Sequence, residues 1–312
     1  PSRIILSWTM TTQSITPVLS AIRSTAQPAP VTLAPSGLTT AQVLPGSPGI
    51  ADIVVGVVSL PYYLTPPSAA APTAPLTEFW RAEPGAYLPP FDQLGLDPTS
   101  THVTVANPFP VQTSAQTVPV LMSVPNANSG HTQPAAGWPL VIYQHGITRN
   151  RSDALAIADT LASQGIAVVA IDLPLHGITD TALGDPTQPL AALYVENTPF
   201  GPIANERTFD LDLVDNTTSA PGPDGQIDGS GVHFINLASL LTSRDNLRQG
   251  QADLSVLTLS VQNMDINGDG VGDFDSARVS FVGQSLGSIT GIPFLAVEPN
   301  VNTGVLSVPG GG

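Results

Sequence analysis

Ser285 stands in a pattern that suits a serine nucleophile. It is the centre of Gly-Gln-Ser-Leu-Gly, residues 283–287, with a β-branched, apolar run before it and small residues able to begin a helix after it. This context predicts a nucleophile elbow, a sharp strand-to-helix turn that exposes the serine hydroxyl. Gly283 and Gly287 lack a Cβ and so let strand and helix approach closely. The pentapeptide alone would also fit an ordinary turn. The strand before it and the helix after it favour the elbow, with Ser285 as catalytic nucleophile.

A second segment has the pattern of a strand, a helix and another strand. Residues 138–144 form a short apolar run, and apolar residues recur at helical spacing over 152–165. Residues 166–171 are continuously apolar, as in a parallel strand buried on both faces. The three segments therefore predict a β-α-β unit.

The loop inside this unit could stabilise a developing negative charge. His145, Gly146 and Ile147 directly follow the first strand, at the edge of the sheet where α/β proteins bind their ligands. Backbone amides there can point at an oxyanion. We predict that the amides of Ile147 and Leu286 form an oxyanion hole, with His145 and Gly146 as supporting residues.

The elements that must position these residues predict two domains. Residues 1–118 contain strand candidates at 3–8 and 53–60 among Pro-, Ala- and Thr-rich loops, which indicates a mostly β, loop-rich N-terminal domain. Residues 119–312 predict an α/β domain with a doubly wound, mostly parallel sheet that is incomplete in this chain. Its segment at about 173–233 is rich in Pro, Gly, Asp and Thr and is expected to be an insertion over the site.

A long helix should return the chain from this insertion to the elbow strand. Its apolar face is expected to consist of seven residues at helical spacing. They are Leu237, Leu240, Leu241, Leu247, Leu254, Leu257 and Val261.

An Asp-rich loop precedes the elbow strand. Alternating oxygen-bearing residues with Gly at the sixth position match the first half of an EF-hand calcium loop, but the twelfth position, Ser276, is not Glu. The alternative is an Asp/Asn/Gly turn without metal, which is also how we interpret the acidic loop at 215–228. The expected ligands of a structural Ca²⁺ are Asp265, Asn267, Asp269, Asp273 and the carbonyl of Val271.

Composition excludes several classes of function. The net charge is −15, and all nine basic residues are Arg. Such a chain is not expected to bind nucleic acid, and anionic lipid would repel it, so any peripheral membrane contact should be apolar. The chain has no Cys and therefore no disulfide. It has no apolar run of 18 residues that predicts a membrane-spanning helix.

The histidines do not provide an obvious general base. Triads on elbow folds run Ser, then Asp or Glu, then His, yet no His and one acid, Glu298, follow Ser285. We therefore expect the acid and base to lie beyond residue 312, and this chain alone to hydrolyse esters poorly. The five histidines are His102, His131, His145, His176 and His233, of which His176 is expected at the rim of the pocket.

Several short segments match one known family. They are Ser7-Trp8, residues 12–15, 60–64, 144–148, 234–237, 243–249 and 283–287. Together they resemble the bacterial extracellular virulence-factor lipases of the α/β-hydrolase superfamily. The resemblance implies an α/β-hydrolase fold, lipase, phospholipase or lysophospholipase activity, export from the cell and a catalytic Ser285. This chain departs from the family by having Gln284 where His is common.

The sequence thus predicts a secreted serine ester hydrolase that acts on lipid or other acyl esters without a catalytic cofactor. One alternative is a peptidase or acyltransferase on the same fold, because a fold does not determine its substrate. A second alternative, from another class, is a non-catalytic surface module stabilised by calcium. The sequence gives no indication of oligomeric state.

Overall fold

In the computed structural model, residues 16–179 and 190–310 are described. Within these ranges, seven strands form one sheet. They are β1 (Val31–Thr39), β2 (Ala51–Tyr62), β3 (Ser114–Pro125), β4 (Trp138–Gln144), β5 (Ala167–Ile171), β6 (Phe274–Gln284) and β7 (Val301–Ser307).

The strand order across the sheet is β1-β2-β3-β5-β4-β6-β7. Antiparallel pairing joins β1 to β2, β2 to β3 and β3 to β5. Parallel pairing joins β5 to β4, β4 to β6 and β6 to β7. The parallel half contains the elbow strand β6, and its carboxyl ends meet at one edge of the sheet. This is the α/β-hydrolase arrangement that the sequence predicted.

Helices cover both faces of the sheet. Helices α1, α5 and α6 contact one another on one face, and α4 packs against β3 and β5 on the other. No helix of the described ranges is long and apolar enough to cross a membrane. The helices are α1 (Thr16–Thr25), α2 (Thr40–Val43), α3 (Ala74–Thr77), α4 (Leu155–Ala162), α5 (Leu240–Ser260) and α6 (Leu286–Val297).

The central strands are apolar throughout because both of their faces are buried. In β5, Val169 and Ile171 join the core under α5 and α6, while Val168 and Ala170 pack on the opposite side, toward α4. Burial of each Val or Ile side chain among them contributes about 1.5–3 kcal/mol. The unit β4-α4-β5 therefore forms as the sequence predicted.

The strands of the N-terminal half belong to this same sheet. β2 contains the predicted strand 53–60 and pairs along its whole length with β3. The domain boundary predicted near residue 118 falls inside β3, so strands on either side of it share one sheet. The division into two domains stays a prediction, and the strand expected at 3–8 lies outside the described residues.

The predicted insertion contains little regular structure. Residues 173–179 and 190–239 contain no α-helix and no strand of the main sheet, and two short 3₁₀ turns begin at Ala191 and Val195. Within this segment, Arg207 donates to the carbonyl oxygen of Asp172 just after β5, and Ser230 donates to the carbonyl oxygen of Arg149 in the loop that follows β4.

Helix α5 confirms the predicted long helix but corrects its apolar face. Leu254 and Leu257 are fully buried, whereas Leu237, which precedes the helix, and Leu240 are 82% and 67% exposed. The first half of α5 buries polar side chains instead. Their amides and carboxyls bind backbone groups of neighbouring loops, as when Asp245 accepts from the N–H of Trp80 at 3.0 Å.

Candidate active site

Ser285 occupies the turn between β6 and α6. Its backbone has φ 51° and ψ −113°, a conformation that an L-residue keeps only under constraint. Its N–H donates to the carbonyl oxygen of Ser307 at 2.9 Å. Its own carbonyl accepts from Ser288 N–H at 2.9 Å and Ile289 N–H at 3.0 Å. The end of β7 and the first turn of α6 therefore hold the strained residue between them.

Gly283 and Gly287 stand where a Cβ would collide with backbone. A Cβ on Gly283 would lie 2.7 Å from the carbonyl oxygen of Gly287. One on Gly287 would lie 2.7 Å from the carbonyl oxygen of His145 and would overlap that of Gln144. Backbone atoms cannot rotate away as a side chain can. The two glycines therefore permit the close packing of α6 against the ends of β4 and β6 that an elbow needs.

Ser288 is a supporting residue that the sequence analysis missed. Its buried hydroxyl lies 2.6 Å from the carbonyl oxygen of Gly283 and 2.9 Å from that of Ser307. It links the first turn of α6 to the ends of β6 and β7. A serine three residues after a candidate nucleophile, on the helix face toward the sheet, is the signal that could have identified it.

The loop after β4, residues 145–151, lies against Ser285. A Cβ on Gly146 would lie 3.3 Å from Ser285 Cβ and 3.9 Å from Ser285 Oγ, so the backbone of this loop passes directly beside the serine side chain. The side chains of Ile147 and Leu286 pack into one small apolar cluster with Leu173, Phe234 and Leu247. The structure thus brings Ser285 together with both residues expected to provide oxyanion amides.

Local geometry at these two residues suits an amide donor. Leu286 is the first residue of α6, and the first N–H groups of a helix have no intrahelical acceptor and carry the positive end of the helix dipole. Thr148, just after Ile147, has φ 61°, so the loop turns sharply there. The oxyanion role of both amides stays a prediction.

His145 is held as a neutral, buried support for this loop. Its Nδ1 donates to the carbonyl oxygen of Gly146 at 2.8 Å, and its Nε2 accepts from the N–H of Leu173 at 3.0 Å. Burial lowers the pKa of His145 from 6.5 to about 4. Both ring nitrogens are therefore engaged, which leaves neither for proton transfer with Ser285.

His176 is fully buried and is not the rim residue that we expected. Its ring lies 4.8 Å from that of His145 and 5.1 Å from that of Phe234, measured between centroids. The backbone of Gly231 covers the remaining side, because a Cβ there would overlap the imidazole. Nδ1 donates to Pro174 O at 2.8 Å, whereas Nε2 has no hydrogen-bond partner among the described residues. Burial, followed by the neighbouring His145, lowers the pKa of His176 to about 3.

No histidine of the described ranges forms a hydrogen bond with Ser285 Oγ. His131 contacts Ser163 O, His233 contacts Asp228, and the ring of His102 stacks on Phe79. The expectation that the general base lies beyond residue 312 stays a prediction.

A buried ionic cluster behind the loop was not foreseen. Arg151 places Nη1 2.5 Å from both Asp172 Oδ2 and Glu206 Oε2, and Nη2 2.7 Å from Glu206 Oε1. Burial opposes the guanidinium charge, but Glu206 and Asp172 outweigh it and raise the pKa of Arg151. In the sequence, only the position of Asp172 directly after the buried strand β5 pointed to this cluster. Glu206 lies 55 positions from Arg151, and no local pattern connects them.

The Asp-rich loop has the hydrogen bonds of a turn. The carboxylate of Asp265 accepts from the N–H groups of Gly268 and Gly270, each at 2.7 Å. These bonds, that from Gly270 foremost, lower the pKa of Asp265. The remaining side chains behave alike: Asn267, Asp269 and Asp273 accept from the N–H groups of Asp269, Val271 and Ile266.

The side chains of this loop bond within the loop and to one neighbouring segment. Across residues 16–179 and 190–310, no group of three or more His, Cys, Asp or Glu side chains is placed to hold a metal ion. The bond from Gln133 Nε2 to Asp273 Oδ1, at 3.0 Å, ties the loop to the segment before β4. Calcium binding by this loop stays a prediction.

Comparison with solved structures finds esterases. An acetyl xylan esterase from Paenibacillus sp. R4 has 13% identity and a TM-score of 0.39, covering 96% of this chain and 61% of that one. An acetyl xylan esterase from Thermoanaerobacterium sp. JW/SL YS485 has 13% identity and a TM-score of 0.39, with coverages of 93% and 56%. A CE15 glucuronoyl esterase from Teredinibacter turnerae T7901 has 12% identity and a TM-score of 0.38, with coverages of 92% and 47%.

The chain therefore spans between 47% and 61% of the length of these three structures. No family model matches the sequence, and no curated protein matches it either. The resemblance to the extracellular lipases consequently stays a prediction. The strand order and the strained turn at Ser285 establish the fold: the chain has an α/β-hydrolase sheet with a serine at the elbow between its sixth strand and the following helix.

Proposed function

We propose that this chain carries the nucleophile and oxyanion hole of a serine ester hydrolase. The observation that carries the proposal is Ser285, half-buried at the carboxyl edge of the parallel strands with φ 51°. A strained residue persists only where its surroundings hold it, and such residues cluster at active sites. Here the surrounding contacts all fix the serine backbone and leave its hydroxyl without a hydrogen bond to the described residues.

In the proposed reaction, Ser285 Oγ attacks the ester carbonyl carbon and loses its proton to a general base. The carbonyl oxygen becomes an oxyanion, and the N–H groups of Ile147 and Leu286 donate to it. Collapse of the tetrahedral intermediate expels the alcohol and leaves an acyl-serine, which water then hydrolyses. No cofactor takes part in these steps.

The base is proposed to be a histidine beyond residue 312, as expected from the sequence. His145 and His176 are the buried histidines of the site, and both are supports in this proposal. The described bonds of His145 occupy both of its nitrogens, and His176 lies behind the His145 ring.

The finer assignment is a secreted lipase or phospholipase. It is supported by the sequence resemblance and by a composition with net charge −15 and no Lys. Ile235 and Leu237, which precede α5, are exposed and directly follow Phe234, a member of the apolar cluster that contains Leu286. They support a peripheral apolar contact with lipid.

The first experiment replaces Ser285 by alanine in the full-length protein. Loss of a triad member should lower kcat by about 10⁶, and the far-UV spectrum and melting temperature should stay unchanged because the half-exposed hydroxyl makes no structural bond. Ser163→Ala, at an exposed serine, is the matched control. A fluorophosphonate probe should label the wild-type protein and the control but not Ser285→Ala. Ester turnover near the wild-type rate in Ser285→Ala would refute the assignment.

A second experiment determines the substrate class. Hydrolysis of p-nitrophenyl esters of increasing acyl length should favour long chains if the enzyme is a lipase. Preference for acetyl esters would assign a short-chain esterase, and cleavage of peptide substrates a peptidase. Absence of both labelling and turnover would leave the non-catalytic module as the better description.

A further inference from the structure

The loop at residues 145–151 has few bonds of its own. Inside it, the N–H of Arg149 donates to the carbonyl oxygen of Gly146 at 3.2 Å, and Thr148 adopts a positive φ of 61°. Such a loop is positioned mainly by its neighbours: Ser230 Oγ donates to the carbonyl oxygen of Arg149 at 2.7 Å, and each end of the loop is held as well. At its start, His145 is fixed by the Leu173 N–H, as described above. At its end stands Arg151.

Arg151 is 2% exposed and connects three parts of the chain. Its N–H donates to Asp172 Oδ1 at 2.6 Å while its guanidinium binds Asp172 Oδ2, so one carboxylate at the end of β5 fixes both backbone and side chain. Its Nη2 also donates to the carbonyl oxygen of Leu193 at 2.9 Å. The last residue of the loop is thereby set relative to β5 and to the insertion.

Glu206 completes this connection from the insertion side. It receives both Nη groups of Arg151, and its oxygens also accept from the N–H groups of Ile178 at 3.1 Å and Val195 at 3.0 Å. Two carboxyl groups and one guanidinium are thus buried together with a formal charge of −1. Burying such a group gives little net stability compared with an apolar core of equal volume. The presence of this ionic cluster is therefore better explained by its positioning of the loop than by its contribution to the free energy of unfolding.

We infer that Arg151, clamped by Asp172 and Glu206, is a positioning residue that holds the Ile147 amide against Ser285. This inference rests on the proposed function. The residue touches no substrate and acts through the loop. Because the loop is anchored to β5 and to the insertion, motion of residues 190–206 should reach the oxyanion site through Glu206.

The test compares two arginines of the same loop. Arg151→Lys keeps the charge but cannot bind two carboxylates in the forked geometry of a guanidinium. Arg149→Lys is the matched control, because Arg149 has a 64% exposed side chain and pairs with Asp153 on the surface. Glu206→Gln is the second test variant, since it keeps the volume and leaves one buried carboxyl group for Arg151.

Each variant is made in the full-length protein, and its labelling by a fluorophosphonate is followed over a range of concentrations. We expect the saturating labelling rate of Arg151→Lys and Glu206→Gln to fall at least 10-fold, toward the 10²–10³-fold loss known for a missing oxyanion donor. The concentration for half-maximal rate should change less than about threefold. Arg149→Lys should behave as wild type.

Hydrogen exchange gives a second readout that needs no activity. Amides of residues 144–152 should exchange faster in Arg151→Lys than in Arg149→Lys, measured well below the melting temperature of each. Equal labelling and equal exchange in the two lysine variants would overturn the positioning role, as would a fall in melting temperature with an unchanged labelling rate. If the wild-type protein is not labelled at Ser285, the proposed function fails and the positioning role with it, even where exchange shows that Arg151 holds the loop.

Discussion

Replacing His176 by asparagine should make folding less sensitive to mild acid. His145 and His176 lie buried beside each other, and burial lowers their pKa values from 6.5 to about 4 and about 3. Once the chain unfolds, both rings return to a pKa near 6.5. Between pH 6.5 and 4 the unfolded chain therefore binds more protons than the folded one, so stability is complete above pH 6.5 and falls as the pH falls.

The size of the effect follows from these pKa values. One proton of difference is worth about 1.4 kcal/mol per pH unit, so each histidine costs about 2 kcal/mol at pH 5. Protonation of His145 would also break the bond from Leu173 N–H. Asp172 Oδ1 lies 3.7 Å from His145 Nε2, but both oxygens of Asp172 already bind Arg151. The positive charges of Arg151 and Arg207 oppose protonation as well.

Urea unfolding at pH 7, 6 and 5 measures the difference. The wild-type chain should lose about 4 kcal/mol of unfolding free energy between pH 7 and 5, and His176→Asn about half of that. His102→Asn, which removes an exposed imidazole away from the buried pair, is the control and should follow the wild type. Burial raises the pKa of Asp253. Protonation of Asp253 therefore raises the free energy of unfolding as the pH falls, but this contribution is the same in all three proteins. Identical losses in wild type and His176→Asn would refute the reasoning.

Two further predictions concern the elbow and the Asp-rich loop. Gly287→Ala should cost about 1–3 kcal/mol by overpacking and lower the melting temperature by several degrees. Gly229→Ala, whose Cβ would meet nothing within 4 Å, should stay within about 0.5 kcal/mol of wild type in the same calorimetric scan. If the loop at 265–275 binds Ca²⁺, millimolar Ca²⁺ should raise the melting temperature by mass action and Asp265→Asn should abolish the rise. Equal melting curves with Ca²⁺ and with chelator would show that the loop at 265–275 is a turn that binds no calcium.

The elbow could be predicted from sequence because all of its determinants are local. The turn at Ser285 needs an apolar strand before it, glycines two residues to either side and a helix after it, and these stand within a few residues of one another. The β-α-β unit of β4, α4 and β5 was equally accessible, because two-sided burial leaves continuous apolar runs in the sequence. These signals were sufficient for the fold class and for the position of the elbow at Ser285.

The polar interior could not be predicted in this way. Asp172 and Glu206 lie 21 and 55 positions from Arg151, and their contact exists only after the sheet and the insertion have packed. His176 was expected at a rim because the sequence does not show that Gly231 and Phe234 would cover it. Each of these contacts joins segments distant in the chain, where no periodicity applies.

The misassigned face of α5 has a different cause. The leucine pattern predicts an apolar face that packs on the core. The backbone of adjacent loops, however, must also find hydrogen-bond partners when it is buried. Gln249 receives the Tyr63 N–H at 2.9 Å, and Asn246 Nδ2 donates to Phe234 O at 2.8 Å. The inward positions of the first turns are therefore polar, and Leu240 faces solvent. In this part of α5, hydrogen bonds to the backbone of adjacent loops determine which side chains face inward, rather than the leucine pattern.

The contacts around Ser285 explain why its strained backbone is stable. The loop after β4 lies beside it at Gly146, two N–H groups in the first turn of α6 donate to its carbonyl oxygen, and Ser307 at the end of β7 accepts its N–H. The last of these is instructive, because β7 is exposed along most of its length and buries little apolar area. Its carbonyl at Ser307 nevertheless accepts both the Ser285 N–H and the Ser288 hydroxyl. An edge strand of the described sheet that contributes little to the core thus holds Ser285 through a backbone oxygen alone. Substitutions of its exposed side chains should therefore disturb the site less than any change in where β7 ends.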